Sequence, residues 1–135
     1  MSARAGGSAS LARQVKAHPR IKIALIGKAG SIGIWHVNGR LIRDWVFIDF
    51  TEGGNSHAYE WMPANEIWLD HDVDRREVKF VKLHELHEYN RMADGLSYER
   101  AHKSANRVEL KARRNPSQFA NLWQREVAIV KKHHP

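Results

Sequence analysis

Residues 83–90 read LHELHEYN, which sets two histidines and two glutamates in eight positions of a chain without cysteine. When thiolates are absent, imidazole and carboxylate are the side chains left to hold an ion such as zinc. On a helix, His84 and Glu88 stand one turn apart on a common face. Glu85 directly follows the first of them, where a general base reaches a water held by a metal without reaching the metal itself. His87, at i, i+3 from His84, is an alternative second ligand.

Helical geometry turns these polar groups inward. At about 100° per residue from Phe80, His84 falls near 40° and Glu88 near 80°. Phe80, Val81 and Met92 bound the same sector, while Arg75, Lys79, Lys82 and Asn90 gather opposite. His87, where it is not a ligand, is expected to be an exposed or rim residue. A carboxylate on a core-facing surface needs a partner or a cation.

The next helical segment supplies partners. Ala101, Ala105 and Ala112, with Val108, form a small face that lets two backbones approach, and His102 and Glu109 lie on or beside it. Asp94-Gly95 makes a short joint, so the two helices are expected to be antiparallel neighbours. Glu88 lies seven residues before Gly95 and His102 seven after it. At ~1.5 Å per residue both sit about 10 Å from the joint. The expected ligand set is therefore His84, Glu88 and His102, leaving a fourth position for water. A metal lowers the pKa of such a water toward neutrality. Glu109 or Asn106 is expected to orient the His102 ring, and Tyr98 to steady an oxyanion.

The remaining elements must carry this pair. Residues 1–9 are small and polar and read as a disordered tail before a single α+β domain over 10–135. A short helix around Leu11 and Val15 ends at His18-Pro19. IKIALIG (21–27) reads as a strand, as does the segment around Ile34-Trp35-His36-Val37. Gly27 to Gly33 resembles a phosphate loop in composition, but a strand pattern follows it where a phosphate loop opens a helix. Asn38-Gly39 predicts a type I′ hairpin turn, with strands at 41–50, HAYEW (57–61) and EIWLD (66–70). The expectation is a small antiparallel β-meander followed by three helices. The first of these is capped by Asp72 or Asp74 and runs to about Met92, and the second is capped by Ser97. The third starts at Asn115-Pro116, with a stripe of Phe119, Leu122, Trp123, Glu126 and Val130.

Composition bounds the function classes. The chain has 135 residues, a formal net charge of +7 and a pI near 10.0. That balance favours weak nucleic-acid contact through a basic surface, or a protein partner. No apolar run reaches the ~18–20 residues of a membrane helix, and there is no secretory h-region. A cytoplasmic setting is the expectation. The five tryptophans are expected in core and rim positions, and His36, His57, His71, His133 and His134 in ordinary roles, with His57 able to line a cleft.

His84-Glu85-x-x-Glu88, preceded by the strand EIWLD and followed by a helix bearing His102, resembles the active-site unit of zincin-like metallopeptidases. Met92-x-x-Gly95-x-x-Tyr98-x-x-Ala101-His102 is similar to small bacterial and phage proteins of that type. The resemblance covers residues 66–110. It implies zinc, His84 as first ligand, Glu85 as base, Glu88 as second ligand and His102 as third, acting on a peptide or protein substrate. The departure is Glu88, where the family has histidine. Three readings stay open on sequence. The chain is a zinc hydrolase, a non-catalytic basic module binding nucleic acid or a protein with a purely structural His/Glu cluster, or a fold holding metal for stability without turnover. Glu99-x-x-His102 has the spacing of carboxylate-bridged dimetal bundles, but those need four long helices.

Overall fold

The structure is a computed structural model and describes residues 8–133. Its class is α+β. In chain order it comprises α1 (Ser8–Ala17), β1 (Lys22–Ala29), β2 (Ile32–Val37), α2 (Gly39–Trp45), β3 (Gly53–Asn55), β4 (Glu66–Asp70), α3 (Val78–Ala93), α4 (Tyr98–Arg114) and α5 (Phe119–His133). Residues 1–7 of the expected tail, and His134, lie outside the described residues. Ser8 and Ala9 already belong to α1.

The sheet order is β1-β2-β4-β3. β1–β2 and β3–β4 are antiparallel, but β2 and β4 run parallel, with Trp35 opposite Trp68. The sheet is therefore mixed, and the expected antiparallel meander is corrected. The parallel pair needs a crossover, and residues 38–65 supply it, with α2 inside it. Alternation along the strands splits the core. Ile32, Ile34, Ile67 and Leu69 face α3 and α5. Val37 and Trp68 face α2 and the aromatic cluster of Phe50 and Trp61.

The crossover corrects two local readings. Asn38 is an N-cap, and its Oδ1 accepts from the Leu41 amide at 3.1 Å. Gly39 does not adopt positive φ, so the pair makes no type I′ turn. Gly39 is required for another reason: a Cβ there would overlap the Asp70 carboxylate, which binds Arg43 Nη1 at 3.1 Å. Residues 41–45 are therefore helical despite their β-prone composition. HAYEW forms turns, closed by Ala58 and Tyr59 amides donating to the Asn55 carbonyl.

The joint between the long helices follows expectation. Gly95 has φ +97°, and Ser97 Oγ accepts from the Arg100 amide at 3.3 Å. α3 starts later than Asp72 or Asp74 suggests. Its N-cap is Glu77, without a side-chain cap, and Asp74 instead accepts from the Arg76 amide at 2.8 Å. The pairs Glu88–His102, His84–Glu109 and Glu77–Arg113 advance along α3 and α4 in opposite directions, so the helices are antiparallel. Ala101, Ala105 and Ala112 are fully buried.

α3 is covered on nearly every side. From Leu83 to Asn90 every residue is buried. Asn90 and His87, expected on the outer face and the rim, are thus corrected to interior positions beneath α5. His87 Nδ1 lies 2.8 Å from Glu126 Oε2, and its Nε2 lies 2.7 Å from Ser104 Oγ. Asn90 Nδ2 donates to Glu126 Oε1 at 3.0 Å. Burial opposes the charged form of Glu126, but the hydrogen bonds from His87 and Asn90 outweigh it and hold the carboxyl below its usual range. Gly39→Ala is expected to cost about 1–3 kcal/mol by overpacking against Asp70. A urea denaturation midpoint equal to wild type contradicts this role for Gly39.

Candidate metal centre

α3 and α4 bring three ligand atoms together. His84 Nε2 lies 3.2 Å from His102 Nδ1 and 3.3 Å from Glu88 Oε2, and His102 Nδ1 lies 2.9 Å from that same oxygen. Zinc–ligand bonds of about 2.0–2.1 Å give a tetrahedral edge of about 3.3–3.4 Å. The triangle already has nearly that size, so one ion fits with a small expansion. His84, Glu88 and His102 could hold a metal ion.

The surroundings fix each ligand. His84 Nδ1 lies 2.9 Å from Glu109 Oε1, so Nδ1 carries the proton and Nε2 is left to point at the centre. Glu109 thus orients His84 and not His102, which corrects the expected pairing. Arg113 Nε binds Glu109 Oε2 at 2.8 Å, and its Nη2 binds Glu77 at 2.7 Å, extending the chain along both helices. Asn106 lines the cavity with no hydrogen bond to either ring. Tyr98 stacks on His102 with ring centroids 5.4 Å apart.

Asn55 lies in Thr51-Glu52-Gly53-Gly54-Asn55, a stretch that reads as a loop in the sequence and carries no expected role there. It is fully buried at the end of β3. Its Oδ1 accepts from the amides of His57 and Ala58, both at 3.0 Å. Its Nδ2 donates to Glu88 Oε1 at 3.0 Å and to Glu85 Oε1 at 3.2 Å. One amide thus aligns the expected ligand and the expected base. An asparagine after Gly-Gly signals a turn, but nothing local says that its amide reaches a helix 30 residues on.

These groups line a cavity of about 300 Å³, with β3 on one side and α3 and α4 on the other. Glu52, Glu85, Glu88 and Glu109 line it, and no lysine or arginine does. In a basic chain this is a local field that favours a cation. Burial, together with the Glu88 charge, pushes Glu85 up to about 8. Burial acts to lower His84, but the hydrogen bond to Glu88 and the charges of Glu85, Glu88 and Glu109 prevail and push it up to about 9. Burial, reinforced by Glu88 and Glu85, pushes the Tyr98 phenol up to about 12, so its O–H remains a donor.

Asp70, His71 and Asp72 also offer ligand atoms within 4.8 Å of one another. Arg43 already neutralises Asp70, and the other two are exposed. His57 lines a separate cavity with Asn65 and Tyr89. The turn at Gly30, with φ +59°, links β1 to β2 and opens no helix. No helix among the described residues is long and apolar enough to cross a membrane. Comparison with protein-family models, curated proteins and solved structures gives no match.

A cation at this centre competes with a proton. Without the ion, His84 keeps its proton up to about pH 9, and a metal ion must displace it. Affinity therefore falls as pH drops below that value. Apparent zinc affinity is expected to rise about tenfold per pH unit between pH 6 and 8 and to flatten near 9. Competition with a chromophoric chelator measures it, and a pH-independent affinity contradicts this account.

Proposed function

We propose that this chain is a zinc-dependent hydrolase of zincin-like type that cleaves a peptide or related amide bond. The carrying observation is the convergence of His84 Nε2, Glu88 Oε2 and His102 Nδ1 within 2.9–3.3 Å, beside Glu85. Two imidazoles and one carboxylate make the His₂Glu donor set of open catalytic zinc sites. Zinc held there supplies Lewis acidity toward water and a carbonyl oxygen.

The chain's own residues supply the rest. Glu85 takes a proton from the attacking water and delivers it to the leaving nitrogen. A carboxyl raised to about 8 suits both halves of that task. Asn55 Nδ2 donates to Glu85 Oε1, and Glu85 lines the cavity. The Tyr98 hydroxyl donates to the developing oxyanion. Gly53 and Gly54 line the cavity on β3, which pairs only with β4 among the described residues. A cysteine-free chain suits a cytoplasmic setting.

A second reading has its own support. Both Glu88 oxygens and both His84 nitrogens have partners within the protein. A fully satisfied network can clamp α3 to α4 without turnover.

The test uses zinc-loaded protein and a quenched-fluorescent peptide library. Glu85→Gln is expected to reduce turnover by about 10²–10⁴-fold while zinc stoichiometry stays unchanged. Equal turnover in the variant removes Glu85 from the mechanism. Bound zinc with no cleavage of any library peptide by wild type overturns the hydrolase reading and leaves a structural metal.

A further inference from the structure

The flank of α3 turned away from the cavity has the opposite electrostatics. A groove of about 480 Å³ lies between the β1–β2 hairpin and the start of α3. Ile26 lines one wall, His36 is part of the lining, and Arg75, Arg76, Lys79 and Lys82 line the α3 side. No carboxylate lines it. Arg76 is engaged by Asp74 at 3.2 Å. Arg75, Lys79 and Lys82 have no ion-pair partner among the described residues.

Two of these cations are held in place by rings. The Lys82 ammonium lies 4.6 Å from the Trp123 ring centroid, and the Lys79 ammonium 5.1 Å from that of Phe80. Lys82 is half-buried, and burial draws its pKa below the ordinary lysine value. A half-buried cation without a counter-ion is unfavourable until an anion joins it. His36 Nε2 is likewise buried without a hydrogen-bond partner.

We propose that this groove binds the phosphate backbone of nucleic acid. Lys79 and Lys82 stand about one turn apart on α3, and Arg75 lies in the turn just before its start, a spread that suits consecutive phosphates better than a single small anion. Exposed Arg75 and Lys79 lead to the half-buried Lys82, an arrangement that an extended polyanion can follow. Its cationic donors meet phosphate oxygens, which carry no sequence information, so the proposed contact is to the backbone. The net charge of +7 draws polyanions toward it. This site is separate from the proposed hydrolase centre and needs no metal.

The test measures fluorescence anisotropy of labelled 20-nucleotide single- and double-stranded DNA with EDTA-treated protein, from 50 to 250 mM salt. Arg75→Gln/Lys79→Gln/Lys82→Gln is expected to weaken binding at least tenfold at 100 mM salt. Its log–log salt slope should fall by about 2 for single strands and about 2.7 for duplex, as three lost phosphate contacts require. Lys103→Gln/Arg107→Gln/Lys111→Gln removes three cations from exposed positions of α4 and should change affinity less than threefold. Arg75→Gln/Lys79→Gln, at two exposed positions, carries the test if the Lys82 change impairs folding, with a proportionate fall in slope. No binding by wild type at 50 mM salt overturns the proposal. So does an equal loss in the α3 and α4 variants, because the charge then acts as a diffuse field.

Discussion

One carboxylate oxygen, Glu88 Oε2, lies between two imidazole nitrogens in the interior of the protein. A buried carboxylate is tolerable only with partners placed to within a few tenths of an ångström. That demand accounts for much of what surrounds it. The alanines of α4 allow His102 to come close enough. Asn55 occupies the second oxygen of Glu88, and Glu109 sets the tautomer of His84. The geometry that satisfies the carboxylate could also hold a cation, and the clamp and hydrolase readings grow from this one contact.

α3 meets the same problem twice. On the side of β3 and α4 it buries His84, Glu85 and Glu88; beneath α5 it buries His87 and Asn90 against Glu126. The two clusters differ in one respect. The first opens on a cavity lined by Glu52, Glu85, Glu88 and Glu109, while the second is closed by Ser104 and α5 and lines none of the described cavities. Closure assigns the second to holding three helices in register. The first, which is open, could hold a metal ion.

The helical half was legible because its signals are local and agree with one another. Gly95 takes positive φ and Ser97 caps, as their types suggest, and the placement of Glu88 and His102 about that joint was enough to bring them together. The sheet half was legible only in part. Asn38-Gly39 is a strong local turn signal, but here Asn38 caps α2 and Gly39 is required because the Asp70 carboxylate leaves no room for a Cβ. The parallel pairing of β2 with β4 depends on a crossover that no local pattern announces. Asn55 escaped notice for the same reason, since its role lies entirely in contacts to α3. His87 was misplaced because an amphipathic helix was assumed, whereas α5 covers the face that periodicity leaves to solvent.

The claim beneath all of this is that His84, Glu88 and His102 close on one divalent ion. The most direct measurement is the metal content per chain, by elemental mass spectrometry, after dialysis against micromolar zinc and desalting. The account predicts one zinc in the wild type and less than a tenth of that in His84→Ala and Glu88→Gln, with helical circular dichroism retained. A folded wild type that holds no zinc, or variants that hold as much as wild type, contradicts it.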